Sequence, residues 1–129
     1  NHQFSFEIEI PSNVRLVGFA DRAQLNSLFQ EHQYYLQLSV SEGFPNAICE
    51  AMLCGCIPIG SNVAALPLII GDTGYVLKHR NKEELTQLIQ QLEIPTAENY
   101  KRCQQRIQRE FPLSKRAKKM NALLAGKTN

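Results

Sequence analysis

Between Gly43 and Gly60 the chain carries one charged residue, Glu50. That stretch reads as a loop, a helix and a buried strand. Pro45 suits a first helical turn, Gly55 stops the helix, and Ile57-Pro58-Ile59 is a short apolar run ending at Gly60. A helix that is apolar nearly all round has to be buried. A lone carboxylate on such a helix is costly unless something pairs with it, and no Arg or Lys lies nearby in sequence. A ligand offering hydroxyl donors would supply the partner. Glu42 stands just before the helix, roughly 7–8 Å from Glu50 along the axis at about 1.5 Å per residue. The helix amino end lies between them, with free N–H groups and a positive dipole end suited to phosphate. The order is acceptor, anion site, acceptor, which a nucleotide-sugar fits.

The surrounding pattern alternates strands and helices. Phe4–Ile10 alternates apolar and polar residues as a half-exposed strand does, and Val14-Arg15-Leu16-Val17 reads as a second strand ending at Gly18. Asp21 caps a helix carrying Leu25, Leu28 and Phe29. Tyr34–Leu38 is the strand that feeds the Glu42 loop. After Gly60 comes a turn-rich segment, then the turn Gly71-Asp72-Thr73-Gly74 into Tyr75-Val76-Leu77. A helix near Lys82–Leu92 follows, with Leu85, Leu88, Ile89 and Leu92 on one face. Pro95 ends it. Thr96–Glu110 is a polar helix, Phe111-Pro112 breaks it, and Leu113–Leu124 is a last helix. This alternation predicts an α/β fold, a doubly wound, Rossmann-like parallel sheet with helices on both faces. Ligands of such sheets bind at the carboxyl ends of the strands, which places the Glu42 loop and Gly18-Phe19 on one rim as the walls of a site.

The Glu-x7-Glu spacing, Ala51-Met52-x-x-Gly55-x-x-Pro58 and Thr73-Gly74-Tyr75-Val76 together resemble family 4 glycosyltransferases, retaining enzymes of the GT-B fold. The match is collinear from about Val14 to about Leu92. The resemblance implies that residues 1–129 are a single, partial donor-binding domain, the C-terminal half of such an enzyme. Its C-terminal helices fall at about 96–125, and the acceptor-binding N-terminal domain is absent. It implies that Glu50 contacts the donor's ribose hydroxyls and Glu42 the donor sugar, with Glu42 the residue closest to the chemistry. Gly43, Phe44 and Asn46 offer backbone N–H groups to sugar or phosphate, while Gly18 and Phe19 line the base pocket. The reaction implied is transfer of a sugar from a nucleotide diphosphate to an acceptor hydroxyl with retention, without a metal or other cofactor and with neither Glu as nucleophile. Cell-envelope, capsule or exopolysaccharide synthesis is the expected setting.

Three departures from the family pattern accompany it. The diphosphate-clamping Arg and Lys belong to an upstream segment, and the acceptor domain is missing, so this piece alone is expected to be inactive. Where the family often has Gly-Gly-x-Pro-Glu, this chain has Ala64-Ala65-Leu66-Pro67-Leu68. Three other readings stand beside the transferase: a nucleotide-sugar epimerase of the same fold, a degenerate module that binds a partner without catalysis, and a two-carboxylate glycosidase arrangement.

Composition sets the remaining bounds. The 129 residues allow one domain with a real core, and 43% hydrophobic against 20% charged residues excludes a disordered or fibrous chain. There is no signal peptide and no apolar run near the roughly 18 residues of a membrane span. The start lacks Met and reads as that of an excised piece. Cys54-Gly55-Cys56 is too tight for the usual zinc pair, so Cys49, Cys54 and Cys56 read as core thiols of a reducing, cytoplasmic protein. From Tyr100 onward nine Lys or Arg face one Glu. Such a basic face suits either solvation, packing on a partner domain, or peripheral contact with anionic lipid at the inner membrane face while acting on a glycan or lipid-linked acceptor. Aromatic interleaving and recognised nucleic-acid motifs are absent.

Overall fold

The computed structural model describes residues 9–40, 43–116 and 118. Three parallel strands, β1 (Tyr34–Gln37), β2 (Ile57–Ser61) and β3 (Tyr75–Leu77), form a sheet in the order β1-β2-β3. Tyr34 pairs with Ile57 and Ile59 with Tyr75. All five residues of β2 are buried, and alternate strand residues point to opposite faces, so both faces of the central strand are covered.

Five helices surround this sheet: α1 (Arg22–Glu31), α2 (Asn46–Leu53), α3 (Leu66–Ile70), α4 (Lys82–Gln91) and α5 (Ala97–Glu110). Their starts are written locally. The Asp21, Asn81 and Thr96 side chains accept from Gln24, Glu84 and Asn99 N–H, and Asp21 and Thr96 complete reciprocal capping boxes. α2 ends as its glycine predicts. Gly55 takes φ +96°, its N–H bonds the Met52 carbonyl and the Cys56 N–H bonds that of Ala51, which is the Schellman pattern. Ile48, Cys49 and Met52 of α2 join Ile57, Leu66, Ile69, Ile70, Cys103, Ile107 and Phe111 in the main core. A second cluster, Phe29, Ala51 and Cys56, holds α1 against α2.

Two expectations are corrected. Residues 14–17 form no strand: they run irregular and exposed, with Leu16 and Val17 open to solvent. None of the three described strands pairs with them, and an extended stretch without a partner has no ladder to stabilise it. The turn-rich segment after Gly60 contains the short helix α3, whose Leu66, Ile69 and Ile70 are fully buried. Of the expected Phe4–Ile10 strand, residues 4–8 lie outside the described residues, and Glu9 and Ile10 are irregular and exposed. Helical structure resumes at residues 113–116, and most of the expected last helix lies outside the described residues.

Two small residues are tied to local geometry, one by close packing and one by its backbone angle. A Cβ on Gly74 would collide with the carbonyl and ring of Pro58 in the neighbouring strand. Ala64, where the related motif often has glycine, sits at φ +48°, in the left-handed region that costs a residue with a Cβ about 1 kcal/mol. Ala64→Gly is therefore expected to leave stability unchanged or raise it by up to about 1 kcal/mol, whereas Gly74→Ala is expected to cost about 2 kcal/mol or more. Urea unfolding of the two variants beside the parent checks both signs.

Candidate functional site

The carboxyl end of β1 leads through residues 38–40 toward α2. Ser61, the last residue of β2 and itself buried, donates its hydroxyl to the Ser39 carbonyl at 2.6 Å, tying this connection to the adjacent strand end. Gly43 and Asn46 are exposed on this rim, and Pro45 beneath them is buried. Phe44 packs on Phe111, their ring centroids 6.4 Å apart, so the break after α5 supports the loop from below. Glu42 lies outside the described residues. Pro45 occupies the N-cap position of α2 with no side-chain cap, and the first turn carries no acidic residue. The helix amino end thus keeps its positive dipole end free of any negative side chain of its own.

Glu50 differs from the sequence reading. Its side chain is 28% exposed rather than enclosed, and Arg22 Nη2 lies 3.6 Å from its Oε1. The partner that sequence proximity did not supply comes from the first turn of α1, across the α1–α2 contact. Arg22 is itself 80% exposed, so the pair is long, screened and worth about 0–1 kcal/mol. A ligand hydroxyl can replace it at little cost. The same contact fixes the relation of the two predicted walls, because Gly18, Phe19 and Ala20 lead directly into α1. Gly18 is open, Phe19 is fully exposed, and residues 15–20 with one face of α1 line a groove of about 580 Å³.

The segment Ala64–Leu68 follows β2 on the same rim. Leu68, where the related motif often has a carboxylate, is exposed, while Ala65 and Leu66 are core residues. Its backbone is secured by Arg106 of α5, whose Nε and Nη2 donate to the Ile69 and Leu68 carbonyls at 2.7 and 2.6 Å. Arg106 also lies over the Phe111 ring at 5.9 Å. Arg102 pairs with Asp72 at 2.8 Å, and Arg116 is buried. The basic run after Tyr100 is therefore not one uniform solvated face: Arg106 and Arg116 are built into the fold, while Arg102 makes an exposed surface pair.

The four cysteines are free. Burial pushes the Cys49 thiol up to about 11, with the Arg116 charge opposing and Glu50 adding, and pushes Cys56 up to about 11 with help from Cys54 and Cys103. Cys56 donates to the Phe29 carbonyl at 3.0 Å. Cys103, which sequence did not place in the apolar stretch, is as fully buried as Cys49. Among the described residues no group of three or more His, Cys, Asp or Glu stands together as a metal site, and no helix is long and apolar enough to cross a membrane.

Residues 4–110 match the family described as glycosyl transferases group 1, and the chain belongs to that family. It is 36% identical over 63 residues to O-antigen chain mannosyltransferase B of Escherichia coli, covering 49% of this chain and 16% of that protein. It is 34% identical over 76 residues to the GDP-mannose:cellobiosyl-diphosphopolyprenol alpha-mannosyltransferase of Xanthomonas oryzae pv. oryzae (strain PXO99A), covering 58% of this chain and 20% of that one. The matches thus span a fifth or less of these relatives' lengths.

Burial raises all four thiols, Cys49 and Cys56 the furthest, and these two carry a pH signature. Between about 9 and about 11 the folded chain keeps protons that the unfolded chain, with ordinary thiols, has released. Stability should therefore fall as pH rises through that window. Urea midpoints taken across it are expected to drop, and to drop less steeply in the Cys49→Ala/Cys56→Ala variant than in the parent.

Proposed function

We propose that this chain is the donor-binding part of a retaining glycosyltransferase that takes a nucleotide-diphosphate sugar and transfers the sugar to an acceptor hydroxyl in cell-envelope polysaccharide synthesis. The observation that carries the reading is the meeting of two loops on one rim of a parallel sheet. The uncapped amino end of α2, with Glu50 one turn further in, stands against the start of α1 through Arg22. The rim supplies N–H groups and a positive dipole end for a diphosphate, and a carboxylate for ribose hydroxyls. It supplies an open groove beside Gly18 and Phe19 for a base. Glu42 is assigned to the donor sugar, and Gly43, Phe44 and Asn46 to the sugar and phosphates through their backbone.

Both relatives are named as mannosyltransferases, and the name of the second includes GDP-mannose and a diphosphopolyprenol acceptor. GDP-mannose is accordingly the donor we assign, and a lipid-linked glycan the acceptor class. The chemistry asked of this part is placement. It holds the diphosphate so that its charge is stabilised as the glycosidic bond breaks, and it holds the sugar so that the acceptor hydroxyl approaches from the same face. The acceptor proton passes to a phosphate oxygen, so neither Glu42 nor Glu50 is a nucleophile. No metal is assigned. Retention, the lipid-linked acceptor and contact with the inner membrane face all belong to the whole enzyme. The piece by itself is expected to bind weakly and to turn nothing over.

An amide-resolved NMR titration with UDP, GDP and ADP and their sugars tests the reading. GDP and GDP-mannose are expected to shift resonances of Gly43–Glu50 and Gly18–Ala20, with affinity near millimolar, about −4 kcal/mol, and about tenfold weaker for Glu50→Gln. Shifts elsewhere, or none in the whole protein with any nucleotide, would leave a non-catalytic module as the better account. Loss of mannose from GDP-mannose without an acceptor, or its epimerisation, would point to the epimerase instead.

A further inference from the structure

Arg116 is 6% exposed, yet no ion pair among the described residues involves it. Burying an unneutralised cation is costly, and proteins pair such groups or leave them facing a ligand. Arg116 Nε donates to the Phe111 carbonyl at 2.8 Å, and Nη1 reaches the Asn46 side-chain oxygen at 3.4 Å. Asn46 is the first residue of α2, so the charge stands at the amino end of that helix. This is the wrong end for a cation. Helix dipoles favour Lys and Arg at carboxyl ends and anions at amino ends. Two positive features therefore meet on the same turn, with no acidic residue in that turn and no side-chain cap on it. The Arg116 charge also opposes the burial-driven rise of the Cys49 thiol, one turn into the helix. The neutral acceptors that hold the guanidinium orient it without cancelling its charge.

We propose that Arg116 is a donor-binding residue, a cation that this part of the domain adds to a diphosphate held at the amino end of α2, with Asn46 and the Phe111 carbonyl aiming its fork. The inference rests on the reading of that rim as the donor site, and it adds a residue from the C-terminal region that the sequence motif does not include. It also gives the break at Phe111-Pro112 a role, because that break carries Arg116 back over α2.

The test uses the whole protein, calorimetric titration, and three probes: inorganic pyrophosphate, GDP and guanosine. Arg116→Met is expected to weaken pyrophosphate and GDP by about tenfold or more while leaving guanosine unchanged, and Arg116→Lys to recover part of the loss. Arg116→Gln, which keeps an N–H donor for the Phe111 carbonyl without the charge, replaces the Met variant if that one does not fold. Equal losses for GDP and guanosine, or pyrophosphate binding that ignores Arg116 or is absent in the parent, would overturn the inference. The two levels separate cleanly. Arg116-dependent pyrophosphate binding without GDP-mannose binding would sink the donor assignment alone, and GDP-mannose binding untouched by Arg116→Gln would sink this inference alone.

Discussion

The burial of α2 is the constraint on which the rest of the structure depends. Ile48, Cys49, Ala51 and Met52 are wholly removed from solvent, and no single neighbour could cover them. The sheet and α5 cover one side, joined by the short α3 and by Phe111, and Phe29 of α1 covers another. Burying this much apolar surface fixes the helix axis relative to β1 and β2, and so fixes where its amino end emerges. The polar features of the rim are consequences of that placement. Glu50 meets Arg22 because the second cluster brings α1 against α2, and Asn46 meets Arg116 because Phe111 is drawn into the main core.

The rim combines a rigid floor with weakly committed polar groups. Ser61 ties the strand ends together on the rim, and the Schellman ending of α2 fixes the far end of the helix. Above that floor, the Arg22–Glu50 contact is long and exposed, and the amino end of α2 has no side-chain cap. Groups with little to lose are the ones that can exchange their partners for a ligand's at small cost. This is the combination the proposed donor site asks for.

Much of this was legible before the structure, and the limits have physical causes. The ends of α2 were legible because Pro45 and Gly55 act locally, as were the starts of α1 and α5 at Asp21 and Thr96. The central strand was legible because Ile57–Gly60 has no charge to place outside. The 14–17 strand was misread because apolar β-formers signal a tendency that only a neighbouring strand can realise. Segment α3 was missed because five residues with a proline resemble a turn, although Leu66, Ile69 and Ile70 already had helical spacing. The partner of Glu50 was invisible because Arg22 is distant in sequence and close only through α1–α2 packing. Arg116 lay hidden in a run of basic residues, where nothing local distinguishes a buried cation from a solvated one.

Arg106 shows why charge alone is a poor guide to that run. Its guanidinium closes the carboxyl end of α3, covers Gly71 and stacks on Phe111, so it works as a rivet between α5 and the segment after β2. Neutralising the basic residues one by one would therefore perturb the shape of the rim at Arg106 and its potential at Arg116. The solvated lysines nearby would register neither effect, and equal charge changes along the same few turns would have unequal meanings.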